Sequence, residues 1–482
     1  MTTPPTGPSP GRLTSLIARV ARVLPQRGGA PVTLSELKGS ETAKAAGLAG
    51  SMIANNVIAL VSTIVFARLL KNNQGGGYGS LAALVSYFLI LSVVGQALQV
   101  ATAREGVLGR LGSGHGLIAT VRRWTTSLLA FTVVLAVISV LLRQQIADLV
   151  GVKHTPWAAA LGLPAAGLWL ELSVLRGMLQ GVGDYKGVGF SLIGEQAARL
   201  VAGAILVAAG LGVTGAYAGT PVSFIAMSVY CAWRCKNHVE AATGESLQAR
   251  AALGPAALSM WAHVRRAWAP ISGLIIIAVL QNIDIIGAKH RFSTSVASSY
   301  SAVAVAAKVL IWVAMGAGFY LVPEVSRRRA AGDDPRPILG RALGIVAVCA
   351  VPVLLIYAFA SHPLIKAAFG ANKTQASGSL LVLGLAFSTL ACTYLAIQYL
   401  LAQHRMWFLA PLAVVAVAEP ILLLNAPSKP TGFATVVLGV QVVGAIVAFA
   451  FALSPDRRSP PTNRRGGVDE PTEIEPIPEP VS

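Results

Sequence analysis

The feature that most constrains this chain is a succession of segments, each about twenty residues long, that carry almost no charge. A helix needs about 20 apolar residues to cross the hydrocarbon core of a bilayer. Within lipid the backbone must satisfy its own N–H and C=O groups, which a helix does internally. Twelve segments fit, near 47–70, 79–101, 124–142, 156–178, 187–210, 212–233, 268–289, 297–322, 338–359, 377–402, 405–424 and 433–453. Composition agrees: 54% of the 482 residues are hydrophobic and 12% charged. That is about half the charged share of a soluble domain. The expected fold is an all-α polytopic membrane protein of about twelve transmembrane helices.

The net charge of +18 does not point to nucleic acid, because the basic residues lie between apolar spans and not along one soluble face. With residues 1–46 in the cytoplasm, the inner loops and tails hold roughly three times the Lys and Arg of the outer loops. The expectation is a multi-pass protein of the cytoplasmic membrane with both termini inside. Arg12, Arg19, Arg22 and Arg27 interrupt any apolar core of a cleavable signal peptide. Residues 13–24 read either as a short basic helix lying on the membrane surface or as a disordered tail. The segment 234–267 is the cytoplasmic linker, and it divides the spans into 47–233 and 268–453. Residues 454–482 are Pro-rich and charged, and disorder is expected there. Cys231, Cys235, Cys349 and Cys392 lie in or beside spans and read as small apolar fillers.

The two six-span halves repeat. "FARLLKNNQGGGYGSLAAL", 66–84, joins spans one and two, and "GAKHRFSTSVASSYSAVAVA", 287–306, joins spans seven and eight. Each has a small-then-basic pair, Ala67-Arg68 and Ala288-Lys289, followed by Tyr78 or Tyr300. Halves of six spans share one orientation, so their pseudo-twofold axis runs along the membrane normal. Repeated halves are a transporter signature, with the substrate path between them.

A charge inside a span costs a few kcal/mol and needs a reason. Glu171, Glu195, Arg199, Asp284, Lys308 and Glu419 are such charges. Glu195 and Arg199 lie one turn apart, as a structural pair or as a cation offered to a central cavity. Lys308 has no acid within a turn and reads as cavity-lining. Asp284 falls in the outer half of span seven, with Gln281 on its face and Asn282 turned away. Asn55 and Asn56 hold a similar place in span one. Asp284, Gln281, Asn55, Asn56, Glu171, Glu195 and Glu419 are therefore the candidate cavity-polar or coupling-ion residues, for Na⁺ or H⁺. Trp169, Tyr217, Phe224, Trp312, Phe319 and Tyr394 are the mid-span aromatics available to stack on a sugar. No metal spacing, P-loop or nucleophile motif is present, and "GVGDYKGVG", 181–189, reads as a tight turn between spans. The expected role is transport, not enzymatic catalysis.

"QNIDIIGAKHRF", "SSYSAVAVAAKVL" and "LVPEVSRR" resemble the seventh and eighth spans of Wzx-type polysaccharide flippases, of the superfamily that includes MATE exporters and the lipid II flippase. The stretch 55–84 and "ATAREGV", 101–107, are similar to that family's first two spans. The resemblance covers about 47–330. It implies two six-helix bundles working by alternating access on an oligosaccharide carried by a polyprenyl diphosphate, with no cofactor. Arg199 and Lys308 would hold the diphosphate, and Arg68 and Lys289 would receive it at the outer side. Lipids, and a glycan polymerase or glycosyltransferases, would be the partners. Three alternatives remain open. One is a MATE-like cation-coupled exporter of small organic molecules. Another is a non-transporting membrane scaffold for glycan assembly, and the weakest is a major-facilitator carrier.

Overall fold

All regular structure in the described residues is helical, the arrangement that lets each backbone satisfy itself inside lipid. The computed structural model describes residues 41–70, 77–107, 115–242, 268–403 and 405–454. The expected basic helix at 13–24, the linker beyond Ala242 and the tail beyond Ser454 lie outside these residues. The helices are α1 (Glu41–Leu69), α2 (Gly77–Val107), α3 (His115–Leu141), α4 (Arg143–Val150), α5 (Pro156–Ala160), α6 (Gly162–Gly181), α7 (Tyr185–Leu206) and α8 (Gly212–Ala242). After the linker come α9 (Trp268–Arg291), α10 (Thr294–Ala307), α11 (Val309–Ala330), α12 (Arg336–Phe369), α13 (Leu380–Ala402), α14 (Leu409–Leu424) and α15 (Pro430–Leu453).

Ten stretches are long and apolar enough to cross a membrane. One of them, Tyr185–Asn237, is two spans joined by a π turn over Val207–Leu211. Gly210 and Gly212 both hold positive φ there, a conformation that glycine adopts without steric cost. With the shorter apolar helix α14 this accounts for twelve membrane segments. The helices overrun the hydropathy limits at several ends. α12 continues past 359 to Phe369, with a kink at Ala360 just before Pro363. The proline removes one ladder hydrogen bond and bends the helix without ending it. The turn predicted at 181–189 is present: Gly183 has φ +83 and the Asp184 carboxylate caps α7 by accepting from the Gly187 N–H.

The repeat extends far beyond the two stretches that reveal it. In the first half α1 packs on α7, α2 on α6, α3 on α6, and α8 on both α6 and α7. In the second half α9 packs on α14, α11 on α13, α12 on α13, and α15 on both α13 and α14. These are the same pairings, span for span. Small residues set how closely the helices approach. A Cβ on Gly177 of α6 would lie 2.5 Å from the Gln99 carbonyl oxygen of α2.

The halves meet through α2, which lies against α9 and α10. Hydrogen bonds join them at the end that carries Arg68. There the Gly79 N–H donates to Ser298 Oγ at 3.0 Å. Arg68 donates through Nε to the Ala368 carbonyl at 3.0 Å and through its terminal nitrogen to the Ala367 carbonyl, at the C-terminus of α12. His290 Nε2 lies 2.9 Å from the Leu149 carbonyl at the C-terminus of α4. The last two contacts are alike in kind: a base at the end of the first helix of one half closes on a helix C-terminus in the other, where the dipole favours positive charge.

Gly177→Ala is expected to lower stability by about 1–3 kcal/mol through overpacking. Gly316→Ala, whose Cβ meets nothing within 4 Å, should be neutral or stabilising by up to about 1 kcal/mol. Apparent melting temperatures of the two variants in one detergent test the pair.

Candidate functional site

Each half buries one charged centre. In the first, Glu195 of α7 receives two guanidinium groups. Arg176 NH1 lies 3.0 Å from Oε2 and Arg199 NH2 lies 2.9 Å from Oε1. Arg176, on α6, is fully buried and also donates to Ser191 Oγ at 2.8 Å and to the Ser191 carbonyl at 2.7 Å. Rings form one wall. The Arg176 guanidinium stands 5.6 Å from the Trp169 ring and that of Arg199 stands 5.4 Å from Phe224, while Phe88 packs against both rings. Arg199 retains 16% side-chain exposure, and its Nε has no hydrogen-bond acceptor among the described residues.

Two bases on one acid leave this trio with a net positive charge. Such a centre, in low dielectric and beside aromatic faces, suits an anionic group. Glu171 is buried on the same helix as Arg176 and forms no ion pair among the described residues.

The second centre joins four spans. Asp284 of α9 is fully buried. Its Oδ1 accepts from Lys308 Nζ at 3.0 Å and its Oδ2 from the Tyr300 hydroxyl at 3.4 Å. Lys308 sits at the junction of α10 and α11, with its ammonium 5.1 Å from the Phe387 ring. Gln441 of α15 donates to the Leu280 carbonyl at 2.9 Å and to Glu419 Oε1 at 3.3 Å. That places Glu419 beside the turn of α9 that precedes Asp284. Glu419 Oε2 and Gln441 Oε1 are buried without a hydrogen bond. Two carboxylates here share one ammonium.

Three expectations change. Lys308 is not an unpaired cavity cation, because a partner 24 residues away in sequence reaches it across two helices. Asp284 does not face an open cavity, because it is turned into the second half and sealed from solvent. Arg176, which is not among the expected intramembrane charges, is the most deeply buried arginine of the first centre. The remaining polar candidates lie elsewhere. Asn282 bonds back to the Ala278 carbonyl, Gln281 is half-buried one turn from Asp284, and Asn55 lies 3.5 Å from Asn56 within α1. Arg68 and Lys289 are found at the junction of the halves, as expected of matching repeat positions, with Arg68 engaged on α12.

Removing Glu195 strands two cations. Glu195→Ala is expected to cost about 3–5 kcal/mol, and Glu195→Ala combined with Arg176→Met should recover most of it. The yield of monodisperse protein and its melting temperature measure both.

Comparison with known proteins follows from this geometry. No family model matches the chain, and no curated protein matches it. Solved structures do. An inward-facing multidrug-resistance MATE transporter of the MOP superfamily superposes with TM-score 0.63 at 13% identity, over 83% of this chain and 93% of that one. The lipid II flippase MurJ, in an inward closed conformation, gives TM-score 0.63 at 11% identity, over 84% and 87%. The eukaryotic MATE transporter AtDTX14 gives 0.56 at 14% identity, over 86% and 96%. The chain therefore has the fold of the MOP-superfamily transporters, the fold that MATE exporters and the MurJ flippase share.

Proposed function

We propose that this chain is an alternating-access flippase that carries an oligosaccharide on a polyprenyl diphosphate from the inner to the outer leaflet of the cytoplasmic membrane. The observation that carries the reading is the Arg176–Glu195–Arg199 trio, a guanidinium surplus buried in the membrane-spanning part of one half. A diphosphate is the kind of group that such a surplus holds. Of the neighbouring rings Phe88 and Phe224 are buried, and the half-buried Trp169 is the one available to a sugar ring. A groove of about 620 Å³ between α9 and α14, lined by Trp268, Ile276, Trp407 and Ala413, offers an apolar path for a lipid tail at the linker end. In this reading the linker end is cytoplasmic, as the charge bias predicts. The closed Arg68 end then faces outward, and this conformation loads from inside. A glycan polymerase or glycosyltransferases would be the partners.

One observation favours a second reading, cation-coupled export of a small organic molecule. The second centre holds two carboxylates against one ammonium, and Glu419 Oε2 is unpartnered. Under either reading we assign that centre to coupling. Lys308 already neutralises Asp284, so a proton or Na⁺ is needed only at Glu419.

If the flippase reading holds, deleting the gene makes a lipid-linked oligosaccharide accumulate in the inner leaflet, visible by mass spectrometry of extracted lipids. Unchanged surface glycans with altered resistance to organic cations would instead favour the export reading. Arg199→Ala should lower glycan export at least about tenfold, since a hydrogen bond to a charged group is worth about 1.5–3 kcal/mol. At the coupling centre, Lys308→Met alone should destabilise the protein and Lys308→Met with Asp284→Asn should restore its melting temperature. Glu419→Gln should leave folding intact but uncouple transport from pH or Na⁺ in proteoliposomes.

A further inference from the structure

Apart from the two buried centres, cations also converge at the Arg68 end. Where the halves close at the Arg68 end, a cavity of about 210 Å³ is lined by Ser80, Gly151, Val152, Lys153, His154, Lys289, His290, Phe292 and Thr294. That volume equals the share of roughly seven liquid waters at about 30 Å³ each. Both halves build it: Ser80 opens α2, residues 151–154 link α4 to α5, Lys289 and His290 end α9, and Thr294 starts α10. Two lysines, two histidines and two hydroxyls face it, and its lining includes no acid.

Lys153, His154 and His290 are exposed and Lys289 is half-buried, and three further facts mark the place. Lys153, His154 and Lys289 have no hydrogen bond or ion pair with the described residues. His290 is held in place by the Leu149 carbonyl. Gly151 approaches so closely that a Cβ there would sit 3.1 Å from Lys289 Cγ and 3.3 Å from His290 Nε2, and its φ of +78 ends α4 just before the lysine of the loop. In addition, the amides at the start of α10 receive no side-chain cap from Ser293, and free helix N-terminal amides are donors to anions. A concave site with converging cations, open to solvent at Lys153, His154 and His290, concentrates field and calls for an anionic counter-group.

We propose that this cavity is a binding site for a phosphate or diphosphate group, and that the bound anion ties the halves together at the Arg68 end. Lys153 and His154 grip it from the first half and Lys289, with Thr294, from the second, so occupancy favours the conformation closed at this end. An anion of this class reaches the site either free in solution or as the head group of a lipid. The inference rests on the flippase reading only for the choice between those sources, and its test measures binding and not export.

Full-length protein in nanodiscs of zwitterionic lipid is titrated with inorganic pyrophosphate, and melting temperature and calorimetric binding are recorded. A second arm uses vesicles containing a polyprenyl diphosphate. Binding in the first arm that falls at least tenfold in Lys153→Gln/Lys289→Gln, and that persists in Lys429→Gln, at an exposed lysine outside the cavity, supports the site with a soluble ligand. Binding confined to the second arm, with the same dependence, supports it with a lipid head group. No binding in either arm, or binding indifferent to the double variant, overturns it. Lys153→Gln alone, at an exposed loop position, carries the test if the double variant misfolds, and should weaken binding at least threefold. Spin labels at Asp148→Cys and Asn425→Cys in a chain freed of its four native cysteines report closure. Their distance distribution should narrow when the anion binds, and an unchanged distribution overturns the tying role.

Discussion

A charge inside a bilayer is tolerated only beside a partner, and this requirement ties each half of the structure together. Arg176 and Glu195 bind α6 to α7, and Lys308 with Tyr300 binds the α10–α11 span to Asp284 on α9. Removing one member of such a pair leaves the other charge uncompensated in low dielectric, which costs more than the pair itself contributes. The pairs therefore act as registers: they fix depth and rotation for helices whose apolar surfaces alone would pack in several ways.

Between the halves the chemistry differs. The contacts at the Arg68 end are hydrogen bonds from Arg68, Gly79 and His290 to carbonyls and a hydroxyl, with no buried ion pair among those described. A neutral bond among them is worth about 1 kcal/mol, and one from the Arg68 guanidinium about 1.5–3. Groups of this kind are rehydrated when an interface opens to water, so parting the halves strands no charge. Strong pairing within halves and weak pairing between them is what two bodies that move against each other require.

The two centres are opposite in balance, although the halves are repeats. The first has two bases on one acid, while the second has two acids on one base. Duplication preserved the helix packing, span for span, while the ionisable residues diverged. On the proposed reading, such a division would let one half receive an anionic cargo while the other takes the coupling cation.

Hydropathy determines the spans from sequence alone, because lipid imposes a length of apolar residues that can be counted locally. The repeat was legible from Arg68, Tyr78, Lys289 and Tyr300, since matching positions recur at offsets of 221 and 222 residues. Glu195 with Arg199 was legible too, as both lie on one helix face a turn apart. The chain order does not contain the distance from Lys308 to Asp284, the place of Gln441 beside Glu419, or the burial of Arg176. Each depends on how two helices are rotated and how deep they cross, which small residues such as Gly177 set by letting backbones approach. The basic cavity at the Arg68 end is further still from the sequence. Its walls come from four places in the chain, and only the closing of one half on the other brings Lys153 to Lys289.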